Sequence, residues 1–223
     1  MKNNVKKIVL FGAGGLASEV IWSISGINAI KQTYDIVGLV VEKQYFHEGM
    51  EVDGYSILGT EEWLFSHKDE VGCHCAIGIP SERARIQRML VSNGIKIESI
   101  IGADVNIAPS AKVGVGTYLA GRVCVSTNCV VGDGVLLNGE VVIGHDSKVG
   151  DYTCIMTRAD LGGRCSVGSE VLIGAHAYIV PDRKIGDGAT VAAGSIVFSN
   201  VKAGTTVLGN PAKRMRFLEM ENE

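Results

Sequence analysis

The sequence predicts two units of different fold class, an α/β unit over residues 1–100 and a parallel β-helix over residues 101–223. Three observations support this division. In the first hundred residues, short apolar runs alternate with stretches of helical apolar spacing, as in a parallel sheet covered by helices. From residue 101 onward, an aliphatic residue recurs at every sixth position. Glycine supplies 29 of the 223 residues, which suits a chain that turns often.

The first unit is predicted from its alternating strand and helix signals. Strands are expected at residues 7–11, 36–41, 54–58 and 73–79. Helices are expected at residues 16–25, from Thr60 onward, and at residues 81–92 with Ser81 as the N-cap. This order predicts a parallel sheet with helices packed on it.

The second unit has a six-residue repeat that runs without a slip over 17 hexads, from Ile101 to Val197. A period of six fits neither the 3.6 residues of a helical turn nor a long flat strand. It fits short strands separated by corners, with one aliphatic side chain pointing inward at each step, and such repeats are a signature of parallel β-helices. At three hexads per coil, the 17 hexads make between five and six coils.

Composition excludes several function classes. Lys and Arg number 21 against 24 Asp and Glu, so the formal net charge is −3 and no broad basic field is available for a nucleic acid. No apolar run approaches the roughly 18 residues of a membrane span. The six cysteines show no zinc-ligand spacing, so free thiols and no metal are expected. Without a clear export signal, a cytoplasmic location is expected.

Several motifs together point to a family. These are residues 12–17 (GAGGLA) after the first predicted strand, the hexads, Asn138 followed by Gly-His-Asp at 144–146, and the closing GNPAK at 209–213. With them the chain resembles the bacterial hexapeptide-repeat acyltransferases, in the branch of nucleotide-sugar N-acetyltransferases and sialic acid O-acetyltransferases. The resemblance implies a Rossmann-like first domain, a left-handed β-helix, acetyl-CoA as the donor, and a homotrimer with its sites between subunits.

Acetyl transfer from a thioester requires a base for the proton of the nucleophile and a donor facing the developing oxyanion. His145 is the candidate base, because an imidazole titrates close to neutral pH. The resemblance implies this role for His145 and an orienting role for Asp146, although adjacent residues can meet only if the chain turns a corner there. The resemblance also implies that Asn138 contacts the substrate.

The donor site follows from the resemblance alone. It implies that acetyl-CoA lies against Gly163, Ala175, Ala193 and Gly194, with a backbone N–H of Gly163 polarising the thioester carbonyl. Lys213 is expected to contact the CoA phosphates. Cys154 stands where the family often has a second histidine near the CoA thiol, so a donor contact is expected there. Direct transfer in a ternary complex is nevertheless predicted, without an acyl-cysteine intermediate.

The substrate site is expected in the first unit. Gly12, Gly14 and Gly15 follow a strand and precede a helix, which formally matches a dinucleotide motif. Glu42 follows the second strand, where an acid can bind a ribose hydroxyl. The unit is too short for NAD, so these residues are predicted to bind the nucleotide part of a substrate at a helix N-terminus. In this chain Leu16 and Val41 replace a histidine and an acid that are common in the family.

The leading functional prediction is an acetyl-CoA-dependent N-acetyltransferase for the amino group of a nucleotide-linked sugar, such as a 4-amino-4,6-dideoxy sugar in surface glycan biosynthesis. One alternative is O-acetylation of sialic acid or a related sugar, since an amine and a hydroxyl acceptor need the same base. An alternative of another class is a non-catalytic β-helix scaffold or binding protein.

Overall fold

The computed structural model describes residues 5–215, so the last eight residues of the predicted second unit lie outside the described residues. The first unit is a five-stranded sheet in the order β3-β4-β2-β1-β5, flanked by three helices. Its strands are β1 (Lys6–Phe11), β2 (Tyr34–Val40), β3 (Glu51–Val52), β4 (Tyr55–Gly59) and β5 (Gly72–Cys75). Its helices are α1 (Gly15–Ile30), α2 (Glu61–Ser66) and α3 (Pro80–Ser92), with a short 3₁₀ turn at Lys43–Tyr45. All pairings in the sheet are parallel except that of β3 with β4.

Several predicted boundaries in the first unit were wrong. Helix α1, predicted to end at residue 25, runs to Ile30, and β2 begins at Tyr34 rather than at residue 36. Helix α3 begins at Pro80 with Ile79 as its N-cap, one residue before the predicted Ser81. Proline is favoured at the first helical position because it has no N–H to leave unpaired. Strand β5 ends at Cys75 rather than at residue 79, and the residues that follow it form the loop into α3.

The second unit is a prism with three faces, each a sheet of parallel two-residue strands. The first face contains β6 (Ile100–Ile101), β9 (Tyr118–Leu119), β12 (Leu136–Leu137), β15 (Cys154–Ile155), β18 (Leu172–Ile173), β21 (Thr190–Val191) and β23 (Thr206–Leu208). The second contains β7 (Asn106–Ile107), β10 (Cys124–Val125), β13 (Val142–Ile143), β16 (Asp160–Leu161), β19 (Tyr178–Ile179) and β22 (Ile196–Val197). The third contains β8 (Lys112–Val113), β11 (Val130–Val131), β14 (Lys148–Val149), β17 (Ser166–Val167) and β20 (Lys184–Ile185). Strand β24 (Lys213–Arg214) closes the first face, antiparallel to β23.

Each strand from β6 to β22 ends on the aliphatic residue of its hexad, and strands 18 residues apart pair in register. The interior holds a second residue from most hexads, four positions after the aliphatic one, such as Val123 and Cys129. Polar residues at this position differ in their bonding: Thr153 Oγ1 donates to the Gly168 carbonyl at 2.8 Å, whereas the buried hydroxyl of Thr117 has no hydrogen-bond partner among residues 5–215. The repeat therefore contributes two inward side chains per hexad, not the single one predicted.

The first face of the prism is covered by the first unit. Tyr118, Leu136 and Cys154 point outward from this face and are buried in one apolar cluster with residues of β1 and α1. Among residues 5–215, nothing covers the second and third faces in this way. No helix among residues 5–215 is long and apolar enough to cross a membrane.

His74 is completely buried in β5, where its Nδ1–H donates a hydrogen bond to the Glu98 carbonyl. Burial, together with the positive charge of Arg83, lowers the pKa of His74 to about 3. An unfolded histidine has a pKa of about 6.5, so the unfolded chain takes up a proton first on acidification. We expect the free energy of unfolding to fall by about 2 kcal/mol between pH 7 and pH 5 from this residue, at about 1.4 kcal/mol per pH unit.

Urea titrations at the two pH values measure this loss, and NMR should show that the His74 resonances do not titrate above pH 4. The carboxyl of Glu98 has a lowered pKa because Lys6 and Lys96 outweigh its burial, so it affects stability only at still lower pH. A His74 that titrates near pH 6.5 in the folded protein would contradict the prediction.

Candidate active site

His145 and Asp146 lie on the turn between the second and third faces, just after β13. Asp146 has a φ of 58°, and this left-handed conformation turns the chain at the corner. The two side chains meet despite being adjacent in sequence, with Nδ1 of His145 2.7 Å from Oδ2 of Asp146. His145 is half exposed on the outside of the prism. We call this turn, with the turns stacked above and below it, the His145 corner.

The partners of Asp146 determine which ring nitrogen of His145 is available. Asp146 accepts one hydrogen bond from His145 and another from Asn128 Nδ2 at 2.9 Å, and these bonds lower the pKa of its carboxyl. An ionised carboxylate can only accept, so Nδ1 carries the hydrogen and Nε2 presents a lone pair. The pair therefore has the arrangement of an oriented general base.

Gly163 lies directly above His145, one coil later along the chain, since strands 18 residues apart are neighbours. A Cβ at this position would collide with Nε2 and Cε1 of His145. Its N–H donates to no protein acceptor among residues 5–215. A free backbone donor beside a free imidazole nitrogen is the arrangement that acyl transfer requires.

We expect Gly163→Ala to lower kcat by about 100-fold, because the added methyl displaces an imidazole that Asp146 holds in place. The free energy of unfolding should change little, since the ring is half exposed. Steady-state kinetics and urea unfolding measure the two quantities. Ser169→Ala is the matched control, because Ser169 has the same hexad position and uses only its backbone N–H, toward Asp187. Equal activity of the two variants would contradict this role of Gly163.

The other residues predicted for the donor lie on a different corner. Ala175, Ala193 and Gly194 are on the turns between the first and second faces, which we call the Ala175 corner. Gly194 has a φ of 69° and donates to the Ala175 carbonyl at 2.8 Å. The second face separates this corner from the His145 corner, so a single protomer does not bring Gly163 and Ala193 together.

Asn138 is also at the Ala175 corner, one turn before His145 along the chain. Its side chain lines a cleft of about 460 Å³ between α1 and the prism, together with Glu19 and the highly exposed Trp22. The amide Nδ2 of Asn138 lies 3.4 Å from Oε2 of Glu19. The cleft combines an aromatic side chain with polar groups, which is a common composition of ligand sites between domains.

The donor contact predicted for Cys154 was wrong. Cys154 is completely buried between the prism and the first unit, and this burial raises the pKa of its thiol to about 12. The thiol therefore has no access to an acyl donor. Lys213 is exposed on β24, at the end of the first face, so the chain itself does not place it beside His145.

The glycines of the first unit surround a second cleft, of about 540 Å³, at the carboxyl ends of β1 and β2. Gly12 must be glycine, because its φ is 114° and a Cβ would meet the Ala76 carbonyl oxygen at 3.0 Å. Gly14 is the N-cap of α1, and both Gly14 and Gly15 have open space around them. Glu42 lines the same cleft, so the predicted glycine loop and acid do lie together.

Sequence reasoning missed three residues at these sites. Asn128 holds Asp146 from the coil below, and a search at a spacing of 18 residues finds it. Glu82 shares the first-unit cleft with Glu42, and Arg85 binds both of their carboxylates. The described residues contain no cluster of three or more His, Cys, Asp or Glu side chains suited to a metal.

Comparison with known families matches both units. Residues 7–90 match the PglD N-terminal domain, and residues 164–199 match the bacterial transferase hexapeptide family (six repeats). The chain carries a PglD N-terminal domain followed by a hexapeptide-repeat transferase region. The resemblance predicted from the sequence motifs is therefore confirmed. No curated protein matches the sequence significantly.

Solved structures of similar fold cover almost the whole chain. The acetyltransferase domain of PglB from Neisseria gonorrhoeae FA1090, in complex with acetyl coenzyme A, is 28% identical, with a TM-score of 0.84 over 95% of this chain and 100% of that chain. PerB from Caulobacter crescentus, in complex with CoA and GDP-perosamine, is 24% identical, with a TM-score of 0.86 over 95% and 98%. WeeI from Acinetobacter baumannii AYE is 24% identical, with a TM-score of 0.84 over 95% and 100%.

PerB and WeeI, at 24% identity, support the fold alone. The predicted fold class, an α/β Rossmann-like domain followed by a left-handed parallel β-helix, is confirmed. The predicted enzyme class, a hexapeptide-repeat acetyltransferase, is confirmed by the family match and by PglB.

Proposed function

We propose that this protein is an acetyl-CoA-dependent N-acetyltransferase that acts on the amino group of a nucleotide-linked sugar, such as a 4-amino-4,6-dideoxy sugar, in surface glycan biosynthesis in the cytoplasm. The observation that carries the proposal is the His145 corner, where an oriented imidazole and a free backbone N–H lie side by side. PerB, whose structure contains CoA and GDP-perosamine, provides a parallel for both substrates.

In the proposed reaction, the sugar amine attacks the thioester carbonyl while Nε2 of His145 takes its proton. The Gly163 N–H stabilises the oxyanion of the tetrahedral intermediate. The C–S bond then breaks, the amide forms, and the CoA thiolate receives the proton from His145. Asp146 remains a carboxylate throughout and stabilises the imidazolium. No protein side chain is acylated, in agreement with the buried state of Cys154.

The nucleotide of the substrate is assigned to the first unit, residues 1–100. The cleft at Gly12, Gly14 and Gly15 opens at the N-terminus of α1, where backbone N–H groups favour a phosphate. Glu42 stands after β2, the usual place for an acid that binds ribose hydroxyls. Asn138 and the exposed Trp22 are proposed to contact the sugar.

We further propose that the enzyme is a homotrimer with acetyl-CoA bound between subunits. The proposed donor contacts are divided between two corners of the prism, Gly163 on one and Ala175, Ala193 and Gly194 on the other. The second face between them exposes the apolar side chains of Val142 and Tyr178, which the rest of the described chain leaves uncovered. Burial in the protomer already raises the pKa of Asp160 on the same face. A second protomer on this face would bring the two corners together.

Mixing two inactive variants tests the shared site. His145→Ala removes the base, and Ala193→Trp fills the donor side of the other corner. If each site combines corners from two subunits, co-assembled enzyme should regain activity in about a quarter of its sites, because random cyclic assembly places two intact corners together that often. A mixture that stays inactive while native mass spectrometry shows mixed trimers would place the whole site within one chain.

A thiol-release assay with acetyl-CoA and a panel of nucleotide-linked 4-amino sugars tests the reaction itself. The purified product should resist alkaline hydroxylamine, which cleaves an acetyl ester but leaves an amide intact. Release of acetohydroxamate by alkaline hydroxylamine would instead identify O-acetylation. Absence of turnover with every amino sugar and every sialic acid tested would overturn the enzymatic proposal for these substrate classes.

A further inference from the structure

The first-unit cleft contains a charge pattern that the phosphates of a nucleotide do not explain. Its lining includes two carboxylates, Glu42 and Glu82, and no lysine or arginine. A phosphate at the N-terminus of α1 would gain nothing from either carboxylate. The acidic side chains therefore suit a different part of the bound molecule, one that donates hydrogen bonds.

Arg85 holds both carboxylates in fixed positions at the edge of the cleft. Its Nη2 lies 2.9 Å from Oε2 of Glu42 and 2.7 Å from Oε2 of Glu82, and its Nε donates to the same oxygen of Glu82 at 2.9 Å. No donor among the described residues contacts Oε1 of either glutamate. Each carboxylate thus keeps one oxygen free for a hydrogen bond from a ligand.

The walls near these carboxylates are apolar and open. Tyr45 and Ile79 are each about 60% exposed although they are large apolar side chains, and both line the cleft. Met50 and Ile77 line it as well. Exposed apolar walls beside fixed polar groups suit a flat heteroaromatic ring whose faces are apolar and whose edge is polar.

The base that best matches a carboxylate at its edge is guanine. Guanine presents two adjacent donors, N1–H and the N2 amino group, which one carboxylate can accept together. Uracil and thymine present a single N–H between two carbonyl oxygens, which a carboxylate would repel. Adenine and cytosine present an amino group next to an unprotonated ring nitrogen, so only one of two contacts is favourable. A carboxylate, which can only accept hydrogen bonds, therefore favours guanine over the other four bases.

The two glutamates have different places in the fold. Glu42 follows β2, the position that binds ribose in Rossmann-like domains. Glu82 is in the first turn of α3, the helix that has Ile79 as its N-cap. We propose that Glu82 recognises the guanine edge between Tyr45 and Ile79, so that the substrate class is a GDP-linked amino sugar. This inference rests on the proposed function, and it adds the base and the residue that selects it.

Calorimetric titration of the full-length protein with GDP, UDP, dTDP and CDP tests the proposal. GDP should bind roughly 5- to 150-fold more tightly than the others, the range expected for one bidentate contact to a base. Glu82→Gln should remove most of this preference, because it weakens GDP and relieves the repulsion between the carboxylate and the uracil carbonyls of UDP. Glu42→Gln, the matched control in the same ion-pair cluster, should weaken GDP, UDP and CDP by a similar factor, and should weaken dTDP less because its deoxyribose has no 2′-hydroxyl. Acetyl-CoA affinity and Tm of both variants report that they are folded.

Tighter binding of UDP or dTDP than of GDP would overturn the assignment of guanine. A uniform loss of affinity in Glu82→Gln would show that Glu82 does not contact the base. These failures are distinct from failure of the proposed function. If the enzyme acetylates amino sugars but prefers UDP, only the assignment of guanine is contradicted. If GDP binds selectively and no sugar is acetylated, only the proposed reaction is contradicted.

Discussion

Replacing His145 by alanine should lower kcat by about 10²- to 10⁴-fold and leave the KM for acetyl-CoA nearly unchanged, the range that loss of a general base produces. The ring is half exposed and contacts the rest of the protein chiefly through Asp146, so the variant should fold normally. Thiol release at saturating substrate measures kcat, and circular dichroism with thermal unfolding measures the fold. An equal kcat in the variant and in the wild type would show that the amine needs no base.

Graded variants at the same corner separate a catalytic from a structural role. Asp146→Asn should also lower kcat, because an amide can donate to Nδ1 and thereby leave Nε2 protonated. Asn128→Ala removes only one of the two hydrogen bonds to Asp146, so its loss should be the smallest of the three. The control is His67→Ala, because His67 stacks on Trp63 far from the His145 corner. Retention of more than a tenth of wild-type kcat in His145→Ala would contradict the assignment.

The corner is the part of the site that the sequence determines most directly. The aliphatic period places Ile143 at the end of a strand, so the following residues must turn, and a turn allows His145 and Asp146 to meet. The same period gives the neighbours in the stack, because a coil contains 18 residues. Asn128 and Gly163 follow from this arithmetic.

Residues whose environment depends on the packing of the two units could not be predicted in this way. Cys154 precedes the aliphatic residue of its hexad and points outward, which would expose it on an open face. It is buried because the first unit covers that face. In the cluster of Arg85, Glu42 and Glu82, Glu42 lies 40 positions or more before the other two residues. No sequence period connects the loop after β2 with helix α3, so this cluster could not be predicted.

The division of the donor contacts shows a related limit. Family resemblance places Gly163, Ala175 and Ala193 around one molecule, although their positions differ by 12 and 30 residues. Neither 12 nor 30 is a multiple of 18, so the alanines cannot share the corner of Gly163. The sequence alone gives these spacings. They favour the proposal that the contacts of one family site come from more than one copy of the chain.

Arg83 joins the two units from inside the protein, and its replacement by methionine should lower the free energy of unfolding by at least about 3 kcal/mol. The side chain is completely buried on α3. Its guanidinium donates to the carbonyls of Cys75 and Ile77 in the first unit and of Gly116 and Gly134 in the prism. Methionine fills a similar volume but removes the hydrogen bonds of Arg83 to these carbonyls, of which Gly116 keeps Gln87 Nε2 as a donor at 3.2 Å. Each buried acceptor left unsatisfied costs about 1–3 kcal/mol.

Arg88→Ala provides the matched control for Arg83→Met. Arg88 is on the same helix and also reaches the prism, through Glu170 at 2.7 Å and the ring of Tyr152, but it is largely exposed. An exposed ion pair contributes about 0–1 kcal/mol, so urea unfolding of this variant should resemble wild type. Arg83→Lys should be intermediate, because an ammonium cannot reach all four carbonyls. If Arg83→Met loses no more stability than Arg88→Ala, the buried guanidinium is not what holds the first unit against the prism.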